Sequence, residues 1–152
     1  MVPVTPGSAG RPPRVLQVSS WDLVGQRFNG YQIHRALRAR GWDSRMLVVH
    51  RRSNDPHVHA HTRAGEWLAW SVYAAERVTG LQGLLNPLGA TFPLRSCFRS
   101  AEVVHWHIVY PHYVSLPWMP SLARRHPTVW TLHDPWAMTG HCVHPLDCER
   151  WR

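Results

Sequence analysis

His133 and Asp134 directly follow a short β-branched and aromatic run, TVWTL, at residues 128–132. Pro127 and Pro135 bracket the segment, and the run itself is typical of a buried parallel strand. In an open α/β sheet, ligands bind outside the carboxyl ends of the strands. His133 is therefore our first candidate for a functional side chain.

A second pair of imidazoles lies in the apolar run EVVHWHIV at 102–109, which we predict to be a strand. His105 and His107 are two residues apart and so share one face of it, with His107 nearer the carboxyl end. Burying two imidazoles requires partners for both. At least one of them is therefore expected to face a cleft or a partner.

A polar loop, WDLVGQRFNG, at 21–30 joins a predicted first strand to a predicted helix at 30–40. A helix amino terminus facing a glycine loop can bind an anion, which makes Gly25, Asn29 and Gly30 candidate substrate contacts. The spacing fits neither a P-loop nor a dinucleotide fingerprint. A plain turn is an equal alternative.

The carboxyl-terminal segment has four residues of metal-ligating types within eight positions: His141, Cys142, His144 and Cys148. A structural zinc site is one interpretation, and a loop disulfide or free thiols are the others, because Cys-x5-Cys is not a standard zinc knuckle. Our prediction is that these residues bind no metal, and the zinc site is the alternative. Three cysteines without a secretory signal favour reduced thiols and a cytoplasmic protein.

Periodicity predicts the elements that position these residues. Strands are expected at 14–20, 44–50, 102–109 and 128–132, and helices at 30–40, 64–80 and within 111–125. The His-rich loop 51–61 is predicted to be solvated, and 81–100 to be irregular with a short helical turn. Strands separated by helical segments indicate a doubly wound, parallel α/β sheet. We expect a disordered leader at 1–13 and one domain at 14–152.

Net charge is +8, from seventeen arginines and no lysine against nine acidic residues. An ordinary basic surface, phosphate-bearing ligands and a membrane surface are all compatible with this charge. Nucleic acid is not expected, because the arginines are scattered. The helix at 64–80 carries an apolar stripe including Trp67, Trp70 and Val78, predicted to be core, with an interfacial membrane helix as the alternative.

Three blocks of the sequence, EVVHWHIVYPHYVSL, PTVWTLHDPWAMTGHC and HPLDCERW, resemble the amino-terminal half of bacterial glycosyltransferases of family 4, which have the two-lobed GT-B fold. The opening pattern VLQVSS and the segment LRARGWDSRMLV are similar too. The resemblance covers about residues 14–152, and TLHDPWAMTGHC is its most specific part. The loop 21–30 departs from the double-glycine form common in that family.

The resemblance implies a Rossmann-like lobe on the acceptor side of an enzyme that transfers a sugar with retention. The donor would be a nucleotide sugar, used as co-substrate with no other cofactor, and the acceptor a glycan or lipid-linked molecule in cell-surface polysaccharide or glycoconjugate biosynthesis. His133 and Asp134 would be catalytic. The implied substrate contacts, together with those of the glycine loop, are His107, Trp136, Thr139 and Gly140.

Family members carry a Glu-x7-Glu pair in a second, donor-binding lobe, and no such spacing occurs in this sequence. We therefore expect a chain truncated before that lobe, or one that works with a separate donor-binding lobe. A peripheral contact with the inner face of the cell membrane is a further expectation. The alternative to an enzyme is a non-catalytic, anion-binding or zinc-binding α/β module.

Overall fold

A five-stranded, all-parallel sheet forms the centre of the computed structural model, which describes residues 11–23, 30–109 and 113–139, apart from the side chains of Ala137 and Thr139. The strand order is β3-β2-β1-β4-β5. The strands are β1 (Arg14–Trp21), β2 (Asp43–His50), β3 (Val58–Ala60), β4 (Val103–Trp106) and β5 (Thr128–Trp130). This is the predicted α/β, Rossmann-like architecture.

Helices connect and flank the strands. They are α1 (Gly30–Ala39), α2 (Arg63–Thr79), α3 (Ser96–Arg99), α4 (Met119–Ala123) and α5 (Trp136–Thr139), with 3₁₀ segments at Pro87–Leu94 and Leu116–Trp118. The predicted helices at 30–40 and 64–80 are confirmed to within one residue at each end. Thr62 caps α2 by accepting a 3.2 Å hydrogen bond from the Gly65 N–H.

The two faces of the sheet bury different clusters. On one face Leu16, Val18, Leu47 and Trp106 pack in a large core with Ala69 of α2. On the other face Met46, Val48 and Val58 are buried beneath Tyr31 of α1. Because side chains alternate along a strand, Gln17 and His107 belong to the same face as Met46, the face that α1 covers.

The predicted solvated loop at 51–61 is wrong in part. Residues 58–60 form β3, which pairs in parallel with β2. Val58 is buried, and His61 contacts both Arg95 Nη2 at 3.0 Å and the Tyr113 hydroxyl at 3.2 Å. The alternation Val-His-Ala-His places one apolar residue toward the core at every second position, which is how a half-buried strand is built.

The run at 128–132 is also shorter and more exposed than predicted. Strand β5 comprises Thr128–Trp130, pairs with β4 and ends the strand order. Val129 is 51% exposed. An edge position explains this, because no described strand covers the far side of β5. The predicted strand at 102–109 likewise narrows to Val103–Trp106, although Ser20 N–H still donates to the Ile108 carbonyl at 2.7 Å.

The prediction that the apolar stripe of α2 is core is wrong. Only Ala69 and Glu76 of this helix are buried, whereas Trp67 is 73% exposed and Val78 is 88% exposed. The buried residues of the helix are thus a small one and an acidic one, while Glu66 and Trp70 contact His50 of β2 from partly exposed positions. Glu76 Oε1 accepts the N–H groups of Leu84 (3.1 Å) and Leu85 (2.7 Å), which ties the following loop to the end of α2.

Two further predictions concern the leader at 1–13 and the membrane. Residues 1–10 of the predicted leader lie outside the described residues, and Arg11 forms an exposed 2.6 Å ion pair with Glu102. Within the described ranges, none of the helices has both the length and the apolar character needed to cross a bilayer.

Candidate functional site

The candidate site lies where the strand order reverses. Strand β1 is followed in the chain by β2 on one side, and β4 lies on its other side. At such a point the connections after the two central strands leave on opposite faces and open a crevice at their carboxyl ends. His107 follows β4, His133 follows β5, and α1 begins at Gly30 after β1. The strand order therefore brings all three to one edge.

His107 and His133 meet in this crevice. Their Nδ1 and Nε2 atoms, respectively, are 3.2 Å apart, and the ring centroids are 5.5 Å apart. His107 is buried, whereas His133 is partly exposed. The backbone of His107 is held on both sides, because its N–H donates to the Val18 carbonyl at 2.9 Å and its carbonyl accepts from Trp130 Nε1 at 3.2 Å.

A second contact, between His105 and Thr131, lies beside the contact between His107 and His133. His105 Nε2 lies 2.7 Å from Thr131 Oγ1, and the His105 and His107 ring centroids are 4.1 Å apart. The prediction that His105 and His107 share a face is confirmed. Two imidazoles of β4 and its extension thus each have a polar partner on the segment that follows β5, as burial requires.

On its other nitrogen His107 contacts Gln17. The distance from His107 Nε2 to Gln17 Oε1 is 2.7 Å, and Gln17 is fully buried in β1. Gly30, the first residue of α1, lies against the same ring, so that a Cβ added there would come within 2.5 Å of His107 Cδ2. The predicted contact residue Gly30 is therefore next to the histidine pair, where its lack of a side chain permits close approach.

The electrostatics of the site favour neutral imidazoles. Burial lowers the pKa of His107 to about 3, with smaller contributions from His105 and His133. Burial also lowers the pKa of His105 and of His133 below 6.5. At neutral pH these rings are uncharged and act as hydrogen-bond donors on one nitrogen and acceptors on the other.

Asp134 and Trp136 support the loop after β5. Asp134 Oδ1 accepts the Trp136 N–H at 3.0 Å, which caps the start of α5. Trp136 is buried against Gly83, at which an added Cβ would come within 2.6 Å of Trp136 Cη2. Gly83 in turn accepts the Leu116 N–H at 2.7 Å and has φ of 76°. These contacts fix the segment that carries His133.

The described residues enclose little space at this point. The concavity between residues 107–108 and 130–134 has a volume of about 10 Å³, roughly enough for one water molecule. His133 and Asp134, which line it, are both partly exposed. Its lining includes both catalytic candidates, His133 and Asp134, and the predicted contact His107.

Several predicted residues lie outside the described ranges. They are Gly25, Asn29, Gly140 and the zinc alternative His141, Cys142, His144 and Cys148. Thr139 ends α5, and its contact with substrate stays a prediction. Among the described residues no group of three or more His, Cys, Asp or Glu side chains could hold a metal ion, and Cys97 is a buried free thiol.

Sequence reasoning missed Gln17. Gln17 lies between Leu16 and Val18, at the apolar centre of a predicted strand. This position indicates a buried hydrogen-bond partner, since a buried amide needs one. Identifying that partner as His107 requires the pairing of β1 with β4, in which Gln17 is opposite His105. Nothing local in the sequence gives this pairing.

Comparison with known proteins gives one informative result. Over 57 residues the chain is 32% identical to a protein of Escherichia coli strain K12 described as "Putative colanic acid biosynthesis glycosyl transferase WcaC". The match spans 33% of this chain and 14% of that protein, well under two thirds of its length. No protein-family model matches the chain, and no solved structure gives a significant match. The similarity is to a glycosyl transferase, over part of the chain.

Proposed function

We propose that the chain is the acceptor-side lobe of a GT-B glycosyltransferase of family 4. In this proposal the enzyme moves a sugar from a nucleotide-sugar donor to a glycan or lipid-linked acceptor with retention at the anomeric carbon. The observation that carries it is the contact between His107 and His133 at the point where the strand order reverses. The partial similarity to a glycosyl transferase and the TLHDPWAMTGHC motif support the same reaction class.

His133 is the proposed catalytic residue. A neutral imidazole at this position hydrogen-bonds the transferred sugar and stabilises the charge that develops during transfer. The ring needs no net charge for this role, in agreement with its lowered pKa. Asp134 contributes by fixing the turn into α5 through the Trp136 N–H.

We propose that the nucleotide-sugar donor is a co-substrate and that transfer requires no metal and no other cofactor. Phosphate-bearing donors suit a protein with net charge +8. In the family that the motifs resemble, a second lobe carries the Glu-x7-Glu pair that engages the sugar and ribose. We propose that such a lobe, in the same polypeptide or a separate one, completes this site.

The acceptor is proposed to belong to cell-surface polysaccharide or glycoconjugate biosynthesis. The protein from Escherichia coli is described as acting in colanic acid biosynthesis, and that description applies to that protein. For this chain the corresponding proposal is a glycan acceptor or one linked to a lipid at the inner face of the membrane.

A peripheral membrane contact through α2 is part of the proposal. Trp67, Leu68, Trp70 and Val78 are exposed on this helix, and Arg63 and Arg77 near its two ends are exposed as well. Exposed apolar side chains flanked by arginines match an anionic lipid surface, where the side chains enter the interface and the guanidinium groups contact head groups. A lipid-linked acceptor would then be presented close to the enzyme.

The reaction can be tested with protein expressed from the complete gene. The protein is incubated with membranes from the source organism and each of a panel of radiolabelled UDP-, GDP- and dTDP-sugars. We expect one donor to label the lipid or glycan fraction, and proton NMR of the product to show the donor's anomeric configuration. Folded protein that binds a nucleotide sugar without transferring it would instead favour the non-catalytic, anion-binding module.

A further inference from the structure

Gln17 has the position and chemistry to control the proton arrangement of the histidine pair. It lies on the central strand β1, is fully buried, and does not line the concavity between residues 107–108 and 130–134. Its Oε1 is 2.7 Å from His107 Nε2. Its Nε2 has no hydrogen-bond acceptor among the described residues, so that the contact with His107 is the one hydrogen bond described for this amide.

An amide oxygen accepts hydrogen bonds and cannot donate them. His107 Nε2 must therefore carry the proton in this contact. A neutral imidazole has a single N–H, and burial keeps His107 neutral by lowering its pKa to about 3. His107 Nδ1 is consequently an acceptor.

The same logic extends to His133. Its Nε2 is 3.2 Å from His107 Nδ1, and two nitrogens at that distance bond only if one of them carries a proton. Since His107 Nδ1 is the acceptor, His133 Nε2 is the donor. In a neutral His133 ring the lone pair is then on Nδ1.

We propose that Gln17 is a positioning residue that holds His107 as the Nε2–H tautomer and, through it, holds His133 as the Nε2–H tautomer. The catalytic meaning of this rests on the proposed function. The arrangement limits a neutral His133 ring to one tautomer, in which Nε2 alone carries a proton. The backbone of Gly30 lies against the His107 ring, where an added Cβ would come within 2.7 Å of His107 Nε2.

The rival arrangement is the exact reverse. If the Gln17 amide were turned over, its NH₂ would donate to His107 Nε2, and His107 Nδ1 would then donate to His133 Nε2. His133 would carry its proton on Nδ1. The two arrangements place opposite protonation states on all four ring nitrogens, which makes them experimentally distinct.

Long-range proton–nitrogen NMR on protein labelled with ¹⁵N-histidine, without substrate, reads the tautomer of each ring. His107 and His133 signals are assigned from the spectra of His107→Gln and His133→Gln. At pH 7.5 we expect both rings to be protonated on Nε2. Protonation of His107 on Nδ1 in the unsubstituted protein would overturn the proposal, whether or not any variant folds.

Two substitutions then test the cause. Gln17→Met removes the acceptor at similar volume and is expected to release His107 from its single tautomer and to alter the His133 signals. Gln17→Glu keeps an acceptor in place and is expected to preserve the Nε2–H form. Unchanged His107 and His133 tautomers in folded Gln17→Met would show that Gln17 does not set them.

A matched control is Thr131→Val, which removes the partner of the neighbouring His105 and leaves Gln17 intact. It should alter the His105 signals and leave the His107 tautomer unchanged. In the transfer assay, Gln17→Met should lower kcat about tenfold to 10²-fold with little change in KM. Because the NMR result needs no substrate, an Nε2–H tautomer without any sugar transfer would reject the proposed function and leave the role of Gln17 standing.

Discussion

His133 and His107 are the same residue type in different environments. His107 is buried between Gln17 and His133, and its pKa of about 3 keeps it uncharged, so that it acts on the site by orientation. His133 is partly exposed and is the ring that we propose to contact substrate. In the proposed site His133 would contact substrate and His107 would orient His133. A hydrogen bond to one ring nitrogen commonly fixes the tautomer of a functional histidine in this way.

Under the proposed function, replacing His133 with alanine should reduce the rate of sugar transfer by roughly 10² to 10⁴-fold, because the proposed hydrogen-bonding group is lost. The measurement is initial transfer rate at saturating donor. His59→Ala is the matched control, since His59 is a partly buried histidine on β3 at the opposite edge of the sheet. It should retain activity within about twofold, and a loss below threefold for His133→Ala would remove His133 from the mechanism.

At this scale the sequence predicts much of the site. His107 and His133 are recognisable because each is a polar residue at the end of an apolar run, and parallel strands end at a common edge. Gln17 and the His105–Thr131 contact are not, because they depend on which strands are neighbours. A hydrogen bond between residues 90 positions apart leaves no periodic trace in either segment.

At the scale of elements, the sequence predicts the limits of α2 correctly but predicts the burial of its apolar face incorrectly. Its apolar spacing predicts the helix limits to within one residue, yet Trp67, Leu68 and Val78 are exposed. Ala69 and Glu76 are the buried residues of α2, and the Glu76 carboxyl group accepts hydrogen bonds from the loop at 84–85. Glu66 and Trp70 add contacts with His50 of β2. Hydrophobic periodicity identifies an amphipathic helix but does not identify what its apolar face contacts.

Glu76 is expected to be a stability residue. Glu76→Leu leaves two backbone N–H groups without their acceptor and should lower the free energy of unfolding by about 2–4 kcal/mol. Glu76→Gln keeps an oxygen in place and should lose much less. Urea denaturation followed by circular dichroism measures both, and equal losses for the two variants would contradict this role for the hydrogen bonds.

The exposed face of α2 gives a separate prediction. The double substitution Trp67→Ser and Val78→Ser should leave the free energy of unfolding within about 0.5 kcal/mol per site, because both side chains are exposed. Sedimentation with phosphatidylglycerol and phosphatidylethanolamine vesicles should show binding weakened by about tenfold or more. Val129→Ser, an exposed apolar position on β5, is the control. Equal vesicle binding in all three proteins would argue against membrane contact through α2.

At the scale of the whole molecule, the sheet order determines where the site is. The sequence predicts parallel strands and their approximate limits, but not the order β3-β2-β1-β4-β5. That order arises from packing between distant segments, and it places the reversal beside β1 and β4. It also explains the exposure of β5, which a strand-by-strand analysis predicts to be buried. Local patterns report burial of a face, whereas strand order is a property of the whole chain.

Stability should depend on pH because several histidines are buried without charge. The pKa of His107 is about 3 and that of His61 about 4 in the folded protein, the latter lowered by burial and by Arg95, against 6.5 as the ordinary value. Between those values and 6.5 the unfolded chain binds more protons than the folded chain. The contribution to stability is therefore fully present above pH 6.5 and decreases as the pH falls toward 4.

The slope of unfolding free energy against pH should be as much as about 1.4 kcal/mol per pH unit for each such histidine. Urea denaturation at pH 7.5, 6.0 and 5.0 measures this dependence. His107→Gln removes one titrating group and should give a shallower slope than the unsubstituted protein. Identical slopes would mean that His107 is protonated to the same extent in the folded and unfolded states.

The contact between Gly83 and Trp136 joins two regions that are more than fifty residues apart in the chain. Any side chain at position 83 would displace the indole that follows the His133 segment, and a φ of 76° disfavours such side chains as well. A saturation-mutagenesis map scored by the proposed sugar transfer would accordingly rank Gly83 with His133. Without the structure, such a map would suggest a chemical role for Gly83. The structure shows instead that Gly83 leaves room for the Trp136 indole.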